Sequence, residues 1–281
     1  MLTLADGSLV CMEEHMPELI LCEVGQPPFD GIESTSPFCL KVHRALKAAG
    51  LEYTRNHGQQ PASHRRHNAL AQVPVLLVDG KPIADSTRIL AYIESLTANA
   101  QPHRNARARA EALLFEELAD TAVNGFLVAA RWADAENWER TRDAYFGKAP
   151  WFVRALIAPR IRARVVKALV ARDIWRGGAL ACWERFDALL DQLEHRAPER
   201  GFWIDAHLSA ADFALFGQLH GLRNELTPKQ RDAVNARPTL AAYLDRVDEA
   251  TRVRATQART QSNPITSSPS LTTNQPASAV A

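Results

Sequence analysis

Apolar positions fall into two regimes along this chain. Up to about residue 97, short strand-like runs alternate with helical stripes; beyond about 105, apolar residues recur only at helical spacing. Residues 19–24 (LILCEV) form an apolar run suited to a buried strand. A loop rich in Pro and Gly, GQPPFDGIEST, leads to SPFCLKVHRALKAAG, where Phe38, Val42, Ala45, Leu46 and Ala49 recur at helical spacing. Ser36 stands at the N-cap, Pro37 at the first helical position and Gly50 just past the end, each favoured there for its own steric or hydrogen-bonding reason. Residues 52–56 (EYTRN) predict a second strand. After a polar stretch, QVPVLLVDGKPIA predicts a hairpin, 75–78 and 81–84, around an Asp79-Gly80 turn. Asp85-Ser86 then caps a helix whose apolar face is Ile89, Leu90, Ile93 and Leu96. A βαβ unit followed by a hairpin and a helix makes an α/β layer over residues 17–97.

Residues 98–105 are polar, contain Pro102 and read as a linker. The helical region, 106–254, opens with one long amphipathic helix over roughly 104–131, marked by Leu114, Leu118, Ala122, Gly125 and Ala129. A second helix is expected near 178–195. Ser209-Ala-Ala-Asp212 opens a third as a capping box, with Phe213, Leu215 and Phe216 behind it. Pro238 begins a last helix reaching about 252. The Ser, Thr, Gln, Asn, Pro and Ala of 255–281 lack the apolar area to offset ordering entropy, which predicts a disordered tail. Residues 1–16 read as an N-terminal extension, with Met16 placed where an alternative start could lie.

Composition narrows the function classes. Of 281 residues, 46% are apolar and 23% charged, ordinary for a globular protein. The net charge of +1 does not suit a general polyanion binder, so no nucleic-acid partner is expected. Cys11, Cys22, Cys39 and Cys182 have neither disulfide-framework nor zinc-ligand spacing, which points to a reducing, cytoplasmic compartment and no metal. There is no spanning-length apolar run, and the first twenty residues lack the basic start of a signal peptide.

Three element ends carry candidate chemistry. At a helix N-terminus, the Ser36 hydroxyl and the exposed N–H groups can stabilise an anion and lower the pKa of a thiol held there; simple capping is the plainer role. Val73-Pro74 opens a strand, and a cis bond there would present the Val73 main chain to an extended peptide; a trans proline is the alternative. Asp85-Ser86 offers a hydroxyl and free N–H groups to a carboxylate, with Asp85 near for an amine, or else caps its helix. Two further stretches stand out. Residues 149–176 hold Arg154, Arg160, Arg162, Arg164, Lys167, Arg172 and Arg176 against Asp173. A basic amphipathic helix can lie on an anionic membrane, but the solvated face of a packed helix is the plainer expectation. His64 and His67, flanking two arginines, read as a solvent-exposed loop rather than a metal or phosphate site.

The succession strand, SPFC-helix, strand, VP-strand, DG turn, strand, DS-helix resembles the glutathione-binding domain of cytosolic glutathione transferases. SAADFALF resembles the capping box inside their helical domain. The resemblance spans roughly residues 17–253 and is loosest between 132 and 177, a segment similar to a metaxin-like branch. It implies a thioredoxin-like α/β domain followed by an all-α domain, and a glutathione transferase activity conjugating glutathione to an apolar electrophile. It implies that Ser36 stabilises the thiolate, that Val73 and cis-Pro74 hold the cysteinyl part, that Asp85 and Ser86 grip the γ-glutamyl end, and that Gln72 contacts the peptide near its glycine. Phe29, Phe115, Phe126 and Trp132 are candidate walls for the electrophile. Glutathione is the co-substrate, no metal is required and a homodimer is implied. The rival readings are a non-catalytic binding module and a reductase or isomerase, the reductase requiring a reactive Cys39.

Overall fold

The computed structural model describes residues 16–25, 32–97 and 105–259, with side chains to 252. The extension, Phe29 with most of its loop, most of the linker and the tail beyond 259 lie outside the described residues.

The apolar run becomes the central strand β1 (Leu19–Val24). It pairs in parallel with β2 (Thr54–Gly58) and antiparallel with β3 (Val75–Val78), which pairs antiparallel with β4 (Lys81–Ala84), giving the order β2-β1-β3-β4. The second strand lies two residues later than the expected 52–56, because its ladder to β1 begins at Thr54 opposite Ile20. Helices α1 (Pro37–Ala48) and α2 (Ser86–Thr97) bury Val42, Leu46, Ile89, Leu90 and Ile93 with Leu19, Leu21 and Leu76. Cys22 stands opposite Val75, and Val75 opposite Ala84. The end of β1, the start of β3 and the end of β4 therefore meet at one end of the sheet.

The rest is helical: α3 (Ala106–Leu118), α4 (Asn124–Val128), α5 (Ala135–Phe146), α6 (Ala158–Ala171), α7 (Gly178–Arg196), α8 (Ala210–His220), α9 (Pro228–Asn235) and α10 (Pro238–Arg259). The expected single helix over 104–131 is interrupted twice, by π-helical turns at Ala119–Val123 and Ala129–Ala133. Each widened turn rotates the residues that follow it, and such turns often occur at functional sites. Helix α10 also runs past the expected end near 252, through ATQAR, whose alanines, glutamine and arginine are good helix formers. Helix α8 is buried on nearly every side, and its capping box forms as expected. The buried Asp212 carboxylate accepts from the Trp203 N–H (2.7 Å), the Ser209 N–H (2.8 Å) and the Tyr243 hydroxyl (2.8 Å).

Close approach and charge join the two regions. Gly217 lets α8 meet α1, since a Cβ there would lie 2.7 Å from the Pro37 carbonyl oxygen. Lys41, fully buried, bonds Glu116 and Asp120 at 2.6 Å each. Arg44, also buried, reaches Glu33 (2.9 Å), Asp248 (2.7 Å) and the Thr251 hydroxyl (2.7 Å).

Burial pushes the Glu33 carboxyl up, but the Arg44 and Lys47 cations outweigh it and hold it at about 2, below its ordinary 4.5. The folded protein therefore binds this proton less tightly than the unfolded chain. Its stabilisation is complete above about pH 4.5 and is lost as the pH falls toward 2. Glu33→Gln should remove an acid-sensitive contribution on the order of 2 kcal/mol. Urea midpoints at pH 7 and pH 3 should differ less in the variant; an unchanged difference would show that other carboxylates carry the acid sensitivity.

Candidate functional site

Two helix N-termini point to the same end of the sheet. Ser36 caps α1, its Oγ accepting from the Cys39 N–H at 3.3 Å while its own N–H donates to Ser34 Oγ at 3.3 Å. Its hydroxyl also lies within hydrogen-bond reach of the Cys39 thiol, so it donates outward only when turned away from that sulfur. Asp85 precedes α2 with φ +83°, a left-handed conformation rare for a residue other than glycine. Its Oδ1 accepts from the N–H groups of Thr87 (3.0 Å) and Arg88 (3.2 Å). Ser86 is buried, and its hydroxyl has no hydrogen-bond partner among the described residues. Val73-Pro74 is a cis peptide. Val73 lies two residues ahead of the first paired position of β3, so its main chain has no strand partner there. Gln72 is exposed beside it, its carbonyl accepting from Asn68 Nδ2 at 3.0 Å.

Three arginines fix the residues leading into Ser36. Arg55 donates to the Glu33 carbonyl at 2.7 Å, Arg44 to the Glu33 carboxylate, and Arg131 to the Thr35 carbonyl at 2.6 Å. Arg131 also donates to the Gly221 carbonyl (2.6 Å) and the Tyr145 hydroxyl (3.2 Å). It is buried, its Nε has no partner, and no carboxylate pairs with it among the described residues. It sits in the second π-helical turn, so the helical region places a positive charge without a paired carboxylate one residue from Ser36. Arg131 and Tyr145 were not legible as site residues, because no local pattern marks which way a side chain turns after a π-helical turn.

Residues 35–96 match the glutathione S-transferase N-terminal domain, and residues 159–246 the glutathione S-transferase C-terminal domain. The chain belongs to the glutathione transferase superfamily. A maize (Zea mays) protein, Glutathione transferase GST 23, is 34% identical over 98 residues, covering 31% of this chain and 44% of that relative. The match thus spans less than half of the relative's length. The β-etherase LigF from Sphingobium sp. strain SYK-6 superposes with a TM-score of 0.54 at 22% identity, over 85% of this chain and 99% of its own. A glutathione transferase family member from Pseudomonas fluorescens pf-5, solved with two glutathione bound, gives 0.54 at 15% identity, over 85% and 94%. At these identities the likeness is one of fold.

The other candidates of this superfamily member are dispersed. Cys39 is fully buried and burial pushes its thiol up to about 12, so it is not held as a thiolate. Phe126 is buried in the helical core, 5.4 Å from the Phe186 ring, because its stripe of the helix faces α7. Phe115 packs edge-on against Trp203 at 5.1 Å. Trp132 is half-buried among Trp138, Tyr145 and Phe146, next to Arg131. His64, expected in a solvent-exposed loop, turns inward because its Nε2 bonds the Glu23 carbonyl at 3.0 Å, while His67 accepts from Arg66. No group of potential metal ligands occurs among the described residues.

Proposed function

We propose that this chain binds glutathione extended across the shared end of the sheet and transfers its thiolate to an apolar electrophile. The observation that carries this reading is the Ser36 hydroxyl at the N-terminus of α1, with the buried Arg131 holding the carbonyl of the preceding Thr35. A hydroxyl donor, a helix N-terminus and a nearby cation each favour a thiolate over a thiol. The Val73 main chain takes the cysteinyl part. The unpartnered Ser86 hydroxyl and the first N–H groups of α2 take the γ-glutamyl carboxylate, and the remaining Asp85 oxygen takes its amine. Gln72 lies where the glycine end would run. The electrophile lies against the Trp132 and Tyr145 rings. No metal enters this reaction, and a cytoplasmic homodimer is part of the same reading. The buried, protonated Cys39 argues against the thiol-disulfide reductase.

Ser86→Ala should weaken glutathione about tenfold or more, since a hydrogen bond to a charged group is worth about 1.5–3 kcal/mol. Equal affinities by calorimetry would remove Ser86 from the site. Arg131 acts here as a positioning residue: it holds the Thr35 carbonyl and supplies charge without touching substrate. Arg131→Gln should leave glutathione affinity at low pH unchanged while the bound thiol carries several-fold less thiolate at neutral pH. A thiolate absorbance titration identical to that of the parent protein would leave Arg131 a purely structural role.

A further inference from the structure

The sequence between Trp151 and Ala171 forms a π-helical turn, Val153–Ile157, running into α6. Its inner side is packed: Ala158 and Leu169 are buried, and Val165 and Val166 lie against the helical core. Its cations divide into two groups. Arg154 pairs with Asp143 at 2.7 Å, and Arg162 donates to the carbonyls of Trp132 (2.9 Å) and Ala133 (3.0 Å). Arg172 bonds the Thr121 carbonyl at 3.0 Å, and Arg176 pairs with Asp173 at 2.9 Å. The remaining three, Arg160, Arg164 and Lys167, have no acidic partner among the described residues. At spacings of four and three they form one exposed stripe along α6.

At the N-terminal end of that stripe, four large apolar side chains are left in water. Trp151 is 77% exposed, Phe152 47%, Leu156 54% and Ile157 42%. A contiguous apolar cluster of this kind marks an interaction surface. The neighbouring cations select its partner. An anionic surface complements the stripe and accepts the apolar tip, which lies on the same side of the helix one turn before Arg160. Tryptophan beside lysine and arginine is the pairing that suits the boundary between lipid headgroups and acyl chains. No helix among the described residues is long and apolar enough to cross a membrane, so this is contact from one side.

We propose that Trp151–Lys167 is a peripheral docking surface for an anionic lipid bilayer, with Trp151, Phe152, Leu156 and Ile157 entering the headgroup region and Arg160, Arg164 and Lys167 lying over the phosphates. It is independent of the glutathione reading.

Flotation of the full chain with vesicles tests it. The protein should rise with phosphatidylcholine vesicles containing about one-third phosphatidylglycerol, remain behind with phosphatidylcholine alone, and be released at high salt, as for a contact that needs surface charge. Arg164→Glu with Lys167→Glu should lower partitioning at least about tenfold. Trp151→Ser with Leu156→Ser should lower it comparably. All four positions are exposed, so circular dichroism and melting should match the parent. Failure of the parent to float with anionic vesicles would overturn the proposal. So would full retention by the serine pair, which would mean that charge alone binds any polyanion. A dimer in sedimentation velocity that the serine pair dissociates would assign the surface to a second copy and overturn it too.

Discussion

Replacing Lys41 with methionine should destabilise the protein by about 3–5 kcal/mol. Lys41 is fully buried on α1, and the two carboxylates it bonds come from α3 and from the first π-helical turn. Removing the ammonium leaves Glu116 and Asp120 close together in a poorly hydrated place. Burial already raises the Asp120 carboxyl despite the opposing pull of Lys41. Glu116 also accepts from the Thr87 hydroxyl at 2.8 Å, so the first turn of α2, next to Ser86, should loosen as well. Adding Glu116→Gln should recover part of the loss, because one of the two stranded charges is then neutral. Urea denaturation at neutral pH measures both. A loss below about 1 kcal/mol would mean that water reaches the cluster and that the pair does not behave as a buried one.

Ser36→Ala should have the largest effect on chemistry. The alanine loses a cap worth about 1 kcal/mol, and it also loses the proposed donor to sulfur. A bond to an ionised partner is worth about 1.5–3 kcal/mol, which corresponds to roughly ten- to hundredfold less thiolate at a pH below the thiol's pKa. Turnover of an activated aryl halide at neutral pH should fall by a similar factor. Glutathione affinity at low pH should change little, since Val73, Asp85 and Ser86 are retained. A variant that loses only stability, with turnover intact, would reduce Ser36 to a helix cap.

What could be read from the sequence was written at element ends. Ser36, Pro37 and Gly50 delimit α1, Asp79-Gly80 sets the hairpin, and Ser209 with Asp212 starts α8, because capping and turns impose strict local demands on residue type. The proposed glutathione residues sit at such ends too, which is why their order was visible. The helical interior carried less information. One inserted residue hardly disturbs a stripe running over several turns, so the two π-helical turns between 119 and 133 were hidden. With them went the directions of Asp120, Phe126 and Arg131. Partners far apart in sequence, such as Arg44 with Asp248, leave no local trace. The strand over 54–58 shows the same limit, since its register is set by pairing with β1.

The most direct test is the titration of the glutathione thiol in complex with the unmodified protein, followed by thiolate absorbance as pH is raised. If Ser36, the N-terminus of α1 and Arg131 act together on the sulfur, the bound thiol should ionise well below the pH at which free glutathione does, and Ser36→Ala should return it most of the way. A bound thiol that ionises together with free glutathione, or no binding of glutathione at all, would contradict this account of the site.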